Sequence, residues 1–174
     1  FVEHFRRYAA DMAARFLPRE SAGFVADIGS NDGTLLKQFQ ALGHRVLGVD
    51  PATAIAKQAT EAGVPTLDRF FDPALAEEIR RAQGPADLIA ANNVFAHADD
   101  LAGIAEGVRA LLAPQGVFAF EVSYLGAVIE HLLFDTIYHE HLAYHAVGPL
   151  RRFISAHGLK LIDVARVDTH GGSI

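Results

Sequence analysis

The sequence contains no cysteine, which excludes disulfide bonds and thiolate zinc sites within these 174 residues. It has no apolar run near the ~20 residues that a membrane-spanning helix needs. No segment has the pattern of a signal peptide. Together these absences predict a cytoplasmic protein without a membrane partner.

Clusters of basic residues are missing as well. The chain carries 15 Lys and Arg against 21 Asp and Glu, a formal net charge of −6. Because binding to nucleic-acid phosphates relies on Lys and Arg clusters, no nucleic-acid partner is expected. The length and the 51% hydrophobic content fit one globular domain with a sizeable core. Nothing in the sequence sets the oligomeric state, and a monomer is favoured.

Short apolar segments alternate with helical patterns along the chain, and Gly or Pro separates many of them. This alternation predicts parallel βαβ units and therefore an α/β fold with a doubly wound, mostly parallel sheet. A turn is expected at 114–116. The predicted strands are 24–28, 45–49, 64–67, 86–91, 117–122 and a sixth at 159–167.

One glycine motif stands out at residues 26–36, Ala-Asp-Ile-Gly-Ser-Asn-Asp-Gly-Thr-Leu-Leu. A buried strand ends at the acidic Asp27 and turns through Gly29 and Gly33 into a helix, an arrangement that favours nucleotide-like ligands. The spacing Gly-x-x-x-Gly fits the dinucleotide fingerprint poorly. It resembles instead the first motif of class I methyltransferases, which bind S-adenosylmethionine.

Polar residues follow the other predicted strands: Asp50, Asn92, Asn93 and Glu121. Because ligands of open α/β sheets bind beyond the carboxyl ends of the strands, these side chains are expected at one site. Asp50 can accept hydrogen bonds from both ribose hydroxyls, or it can cap the helix that begins at Pro51.

Two smaller features allow more than one interpretation. Asp32 in the glycine loop is either a ligand contact or the N-cap of the following helix. Phe70 and Phe71, after the third strand, either stack on an adenine or pack in the core, and Phe71 is the favoured ring.

Residues 134–145 hold three His, two acidic residues and two Tyr. The spacing of His139 and His141 is compatible with a metal site. Acid–base chemistry by a His beside a carboxylate is an alternative, and so is a solvated His-rich loop. His97, after the fourth strand, is expected at the same edge of the sheet.

Four motifs occur in order: 28–33 Ile-Gly-Ser-Asn-Asp-Gly, 91–97 Ala-Asn-Asn-Val-Phe-Ala-His, 134–141 Phe-Asp-Thr-Ile-Tyr-His-Glu-His and 170–173 His-Gly-Gly-Ser. Together they resemble the nucleotide-sugar C-methyltransferase family, whose best-known members methylate C3 of dTDP-4-keto-deoxysugars. The resemblance covers nearly the whole chain.

The resemblance implies a class I, Rossmann-like methyltransferase domain over residues 1–174. In the family, a cysteine-rich zinc module precedes this domain and a second α/β domain that helps to hold the nucleotide sugar follows it. The start at Phe1 and the end at Ile174 suggest a piece of a longer protein, with zinc expected only in the absent module and the last sheet strand possibly absent too.

The resemblance also assigns roles to residues. His141 is the expected base, Glu140 orients it, and Tyr138 is a competing base or a donor to the enolate. Asn93 and His97 stabilise the developing oxyanion, and no metal is required because the ketone activates the proton. The residues expected to bind S-adenosylmethionine, with S-adenosylhomocysteine as product, are Asp27, Gly29, Asn31, Asp32, Gly33, Asp50, Pro51, Phe71 and Asn92.

Three rival functions are weighed against this one. An NAD-dependent sugar epimerase or reductase would need Tyr-x-x-x-Lys, but Leu142 stands four residues after Tyr138 and Gly148 four after Tyr144. An O- or N-methyltransferase of another small molecule explains the cofactor motif but not the Tyr-His-Glu-His motif. A cofactor-binding scaffold without activity leaves the acid–base residues unexplained.

Overall fold

The computed structural model describes residues 2–18, 20–139, 141–169 and 171–174, which form a five-stranded parallel sheet with helices on both faces. The strands are β1 (Phe24–Ile28), β2 (Arg45–Val49), β3 (Thr66–Leu67), β4 (Ala86–Asn92) and β5 (Leu112–Glu121). The helices are α1 (Val2–Phe16), α2 (Thr34–Ala41), α3 (Thr53–Glu61), α4 (Pro73–Gln83), α5 (Leu101–Leu111), α6 (Leu125–Glu130) and α7 (Val147–Ala156), with a 3₁₀ turn at Phe134–Thr136. The predicted α/β class is confirmed.

Alternate residues of the central strands point to opposite faces of the sheet. In β4, Leu88 and Ala90 pack with α1 and α2, whereas Ile89 and Ala91 pack with α4 and α5. All four side chains are fully buried. Burial on both faces explains why these strands read as continuous apolar runs.

The strand order is β3-β2-β1-β4-β5. The chain therefore leaves β1 towards β2 and β3, and later returns on the other side of β1 with β4. A parallel sheet of this kind has a crevice where the order reverses, beyond the carboxyl ends of the strands. Here that point lies between the ends of β1 and β4.

Two predictions differ from the structure at the β5 edge. Residues 159–166 form no strand, and Val167 makes only an isolated bridge with Ser173. Just after β5, Val122 exchanges both backbone hydrogen bonds with Ile174 and not with the predicted sixth strand. The turn predicted at 114–116 lies instead inside β5, as an irregularity in its pairing with β4.

No described helix has the length and the apolar character that crossing a membrane would need.

Candidate functional site

A cavity of about 720 Å³ opens at the carboxyl edge of the sheet, between the ends of β1 and β4. Its walls come from elements that are far apart in sequence, because parallel strands bring their carboxyl ends to one edge. The predicted site residues that line it are Asp27, Gly29, Asn31, Asp32, Pro51, Phe71, Asn92, Asn93 and His97. Gly33, Asp50, Tyr138 and His141 are not part of its lining.

The glycine loop requires both of its glycines. Gly29 has φ +70°, and a Cβ there would lie 2.7 Å from Cγ2 of Val94. Gly33 has φ +75° at the N-cap of α2, and a Cβ would lie 2.9 Å from Val64. Left-handed backbone and the lack of space both select glycine at these two positions, of which Gly29 lines the cavity.

Two carboxylates hold this loop in place. Asp50 accepts hydrogen bonds from the backbone N–H of Asn31 (2.9 Å) and of Ala52 (2.9 Å). Asp32 accepts from the N–H and hydroxyl of Thr34, bonds that lower the pKa of Asp32. Asp50 thus braces the loop and the turn before α3, and Asp32 stabilises the first turn of α2. The N-caps of α2 and α3 are Gly33 and Ala52, so Asp32 and Asp50 are not themselves the caps that the sequence suggested, although each accepts a hydrogen bond from backbone at the start of its helix.

Asp27 is the buried carboxyl at the floor of the cavity. Burial, reinforced by the nearby charge of Asp50, raises the pKa of Asp27 to about 8. The side-chain amide of Asn92 is buried beside the cavity, near the phenol of Tyr8. A neutral acid and a buried amide at this place can bind polar groups of a ligand.

The two phenylalanines after β3 occupy different environments, although both line the cavity. Phe71 is 9% exposed and belongs to the core beside α4 and α5. Phe70 is 78% exposed, so its ring is the one with a free face. The structure thus gives each ring one of the two roles that the sequence left open, core packing for Phe71 and an accessible surface for Phe70.

A second cluster surrounds His141. Its Nδ1 lies 2.8 Å from the carbonyl oxygen of Thr136, and its Nε2 lies 2.9 Å from the hydroxyl of Tyr138. Because a carbonyl only accepts, Nδ1 must carry the proton, which leaves Nε2 as the basic nitrogen that accepts from Tyr138. Tyr144 donates to the same Thr136 carbonyl (3.0 Å).

The His141 cluster is joined to the cavity. The ring centroid of His141 lies 5.1 Å from that of His97, which lines the cavity. The loops are tied together where the N–H of Leu142 donates to the carbonyl of Ala96 (2.8 Å). Glu140, predicted to orient His141, lies outside the described residues, and the described partner of Nδ1 is the Thr136 carbonyl.

Asn93 sits between the two parts of the site. It has φ +59°, a left-handed conformation that Asn tolerates better than most residues. Its backbone N–H donates to the carbonyl of Glu121 (2.8 Å), which fixes the turn after β4 to the end of β5. Asn93 also lines the cavity, as the predicted oxyanion role requires.

Some site residues could not be found from the sequence. Val2 and Phe5 of α1 line the cavity, although their helical spacing indicates only a core-facing helix. The carbonyl of Thr136 leaves no sequence signal because it is a backbone group. Among the described residues, no group of three or more His, Asp or Glu could hold a metal ion.

Comparison with known proteins identifies the class of this site. A family model described as a methyltransferase domain matches residues 1–164. The C-methyltransferase NovU of Streptomyces niveus is 39% identical over 173 residues, which are 99% of this chain. A ubiquinone biosynthesis O-methyltransferase of Methylobacterium sp. (strain 4-46) is 34% identical over 122 residues, 64% of the chain. The chain spans 41% and 48% of the lengths of these two relatives.

Solved structures agree on the fold. Magnesium protoporphyrin IX methyltransferase (ChlM) from Synechocystis PCC 6803, solved with bound SAH, superposes with a TM-score of 0.72 at 14% identity, over 99% of this chain and 80% of that one. A SAM-dependent methyltransferase from Archaeoglobus fulgidus gives 0.66 at 16% identity, over 97% and 70%. With the family model matched over almost its whole length, this chain belongs to the methyltransferase domain family.

Proposed function

We propose that this protein transfers a methyl group from S-adenosylmethionine to the carbon next to the ketone of a nucleotide-linked 4-keto-deoxysugar. The observation that carries the proposal is the Nε2 of His141, which accepts a hydrogen bond from Tyr138 in a ring that lies 5.1 Å from the ring of His97, a residue of the cavity wall. Methyl transfer to carbon needs a base beside the cofactor, since a C–H bond must first lose its proton. The C-methyltransferase relative, identical at 39% of the aligned positions, supports carbon as the acceptor.

The cavity between β1 and β4 offers suitable partners for the cofactor. The carboxyl of Asp27 and the amide of Asn92 fit the amino-acid end, which carries an ammonium and a carboxylate. We assign the ribose to the wall formed by Val49 and Pro51, the two neighbours of Asp50. The exposed ring of Phe70 offers a face for the adenine. ChlM was solved with SAH bound, which is consistent with this use of the shared fold.

The proposed reaction begins when a base removes the proton on C3, which the C4 ketone makes acidic. His141 can take this proton at Nε2, directly or through the phenol of Tyr138, because the Thr136 carbonyl keeps the other nitrogen protonated. The side chains of Asn93 and His97 then donate hydrogen bonds to the enolate oxygen. S-adenosylmethionine would supply an electrophilic methyl to the C3 carbon, and it would leave as S-adenosylhomocysteine when the bond between sulfur and that methyl breaks.

The test separates deprotonation from methyl transfer. In deuterated water, the enzyme should exchange the C3 proton of a dTDP-4-keto-deoxysugar even when S-adenosylhomocysteine replaces the cofactor. His141→Asn should slow this exchange by about 10²-fold or more, the usual contribution of a general base. His139→Asn, in the same loop, is the matched control. Exchange that is equally fast in both variants would remove His141 from the role of base.

An O- or N-methyltransferase is the alternative, and the O-methyltransferase relative favours it over 64% of the chain. Such an enzyme would methylate a heteroatom and would not exchange a carbon-bound proton. A product with its new methyl on oxygen or nitrogen, formed without C3 exchange, would decide for this alternative.

A further inference from the structure

A buried carboxylate outside the proposed chemistry attaches α1 to the edge of the sheet. Glu121 is the last residue of β5, and its side chain is only 7% exposed. One carboxylate oxygen lies 3.1 Å from Nε2 of His4, and the other accepts a hydrogen bond from the hydroxyl of Thr169. A carboxylate only accepts, so Nε2 of His4 carries the proton. Glu121 therefore joins the sheet, the first turn of α1 and the C-terminal segment.

The same turn of α1 closes part of the cavity. Val2 and Phe5 lie on either side of His4 in sequence and line the cavity together with Asp27 and Asn92. One turn later, the phenol of Tyr8 lies 3.5 Å from the Ala119 carbonyl.

The rest of α1 is anchored by packing. Ala9 is fully buried, and Met12 packs against the same core group. In the first turn, Phe5 packs against the same core group, whereas Val2 is 61% exposed. The His4–Glu121 contact adds a polar attachment to the packing that holds Phe5 in place.

We propose that the contact of His4 with Glu121 and Thr169 is a latch, which holds the first turn of α1 over the bound cofactor and so determines how long the cofactor stays. The inference rests on the proposed function for the identity of the ligand. Phe5 makes the contact, whereas His4 and Glu121 are positioning residues that act through it. Variants that weaken such a contact change the affinity for the ligand mainly through its dissociation rate.

The measurement is the dissociation rate of radiolabelled S-adenosylhomocysteine, followed by rapid filtration. His4→Ala should speed dissociation about tenfold, the ratio expected when a charge-assisted hydrogen bond is lost. Phe5→Ala should speed dissociation by a similar factor, because it removes the ring through which His4 acts. The double variant should be no faster than the single ones, because His4 acts through Phe5. Arg6→Ala, which removes an exposed ion pair to Glu3 from the same turn, is the matched control and should leave the rate unchanged.

The conservative variant Glu121→Gln tests the latch without emptying a buried site. Glutamine keeps an oxygen that accepts from Thr169 and an amide that donates to a neutral His4 nitrogen, so its rate should stay within about twofold of the unaltered protein. Glu121→Ala should match His4→Ala. Thermal unfolding of each variant confirms that it is folded.

The possible results separate the two claims. If the unaltered chain does not bind S-adenosylhomocysteine, the proposed function and the latch both fail. If it binds but His4→Ala and Phe5→Ala dissociate at the unaltered rate, only the latch is overturned. Rates that multiply in the double variant would show that His4 does not act through Phe5.

Discussion

At the residue scale, the site depends on one acidic group that folding keeps out of water. Burial and the charge of Asp50 raise the pKa of Asp27 to about 8, against an ordinary value of 3.8. Between these two values the unfolded chain releases a proton that the folded chain keeps. The free energy of unfolding therefore falls as the pH rises from about 4 to about 8. The chain thus keeps a buried carboxyl that lowers the free energy of unfolding, at the place where a ligand would bind.

Asp27→Asn should remove this cost. The variant should be more stable than the unaltered protein at pH 8 by about 1–3 kcal/mol, since it buries a neutral amide in place of an acid that must stay protonated or lose its hydration. The advantage should shrink as the pH falls towards 4, because only below that pH is Asp27 protonated in the unfolded chain as well as in the folded one. Urea unfolding at several pH values measures it, and a constant difference across this range would contradict the raised pKa.

A second prediction compares two glycines with left-handed backbone, one in the glycine loop and one outside it. Gly29 and Gly43 have φ +70° and +88°, but a Cβ at Gly29 would collide with Val94, whereas nothing lies within 4 Å of one at Gly43. Gly43→Ala should cost about 1–2 kcal/mol for left-handed backbone alone. Gly29→Ala should cost about 1–3 kcal/mol more through overpacking. Equal losses in urea unfolding would show that the Val94 contact relaxes freely, and Gly29→Ala/Val94→Ala should recover the extra loss.

At the element scale, helix and strand positions could be predicted well wherever local chemistry decides them. β1 and β2 match their predicted bounds, 24–28 and 45–49, because each is an apolar run closed by a polar or glycine residue. The absence of the predicted sixth strand, 159–167, could not be foreseen from local sequence. Its alternating pattern suits a strand, but a strand forms only where a neighbouring segment supplies backbone partners, and Val122 finds its partner in Ile174. Which segments pair is decided by tertiary structure and cannot be seen in the local sequence.

The first turn of α5 is stabilised by the side chain of its N-cap residue. Asp100 is the N-cap, and its Oδ1 accepts a hydrogen bond from the N–H of Gly103 at 2.8 Å. Asp100→Ala should lower the free energy of unfolding by about 1 kcal/mol, the usual value of a capping side chain. Asp99→Ala makes the same change of charge one residue before the cap and should stay within about 0.5 kcal/mol. Chemical denaturation of both variants decides whether position or charge matters.

At the scale of the whole molecule, the site exists because the sheet topology brings separate loops to one edge. The ends of parallel strands share an edge, and the sequence therefore predicted one site for Asp27, Asp50, Asn92, Asn93 and Glu121. Asp27, Asn92 and Asn93 line the cavity, whereas Asp50 and Glu121 do not. The sequence could not predict that α1 would contribute Val2 and Phe5, because a helix packed beside a sheet carries no signal of how far it extends past the edge. Nor could it identify the Thr136 carbonyl that fixes the proton on His141.

Ligand binding should therefore be visible in the stability of the entire domain. At a concentration one hundred times its Kd, S-adenosylhomocysteine should add about 2.7 kcal/mol to the free energy of unfolding. For a domain of this size that corresponds to a rise in Tm of about 5–10 °C. NAD at the same concentration should leave the Tm unchanged, because the glycine spacing does not suit a dinucleotide.

The pH dependence of that stabilisation links the whole molecule back to Asp27. The amino group of S-adenosylhomocysteine favours the ionised carboxyl, so binding at pH 7 should release a proton from Asp27 and affinity should rise towards pH 8. 5′-Methylthioadenosine lacks the amino-acid end and should bind with little pH dependence over the same range. Calorimetry in buffers of different ionisation enthalpy counts the released proton directly. Equal proton release for both ligands would show that the amino group binds away from Asp27. Asp27→Asn should abolish the proton release on binding of S-adenosylhomocysteine. The same variant should bind 5′-methylthioadenosine as the unaltered protein does.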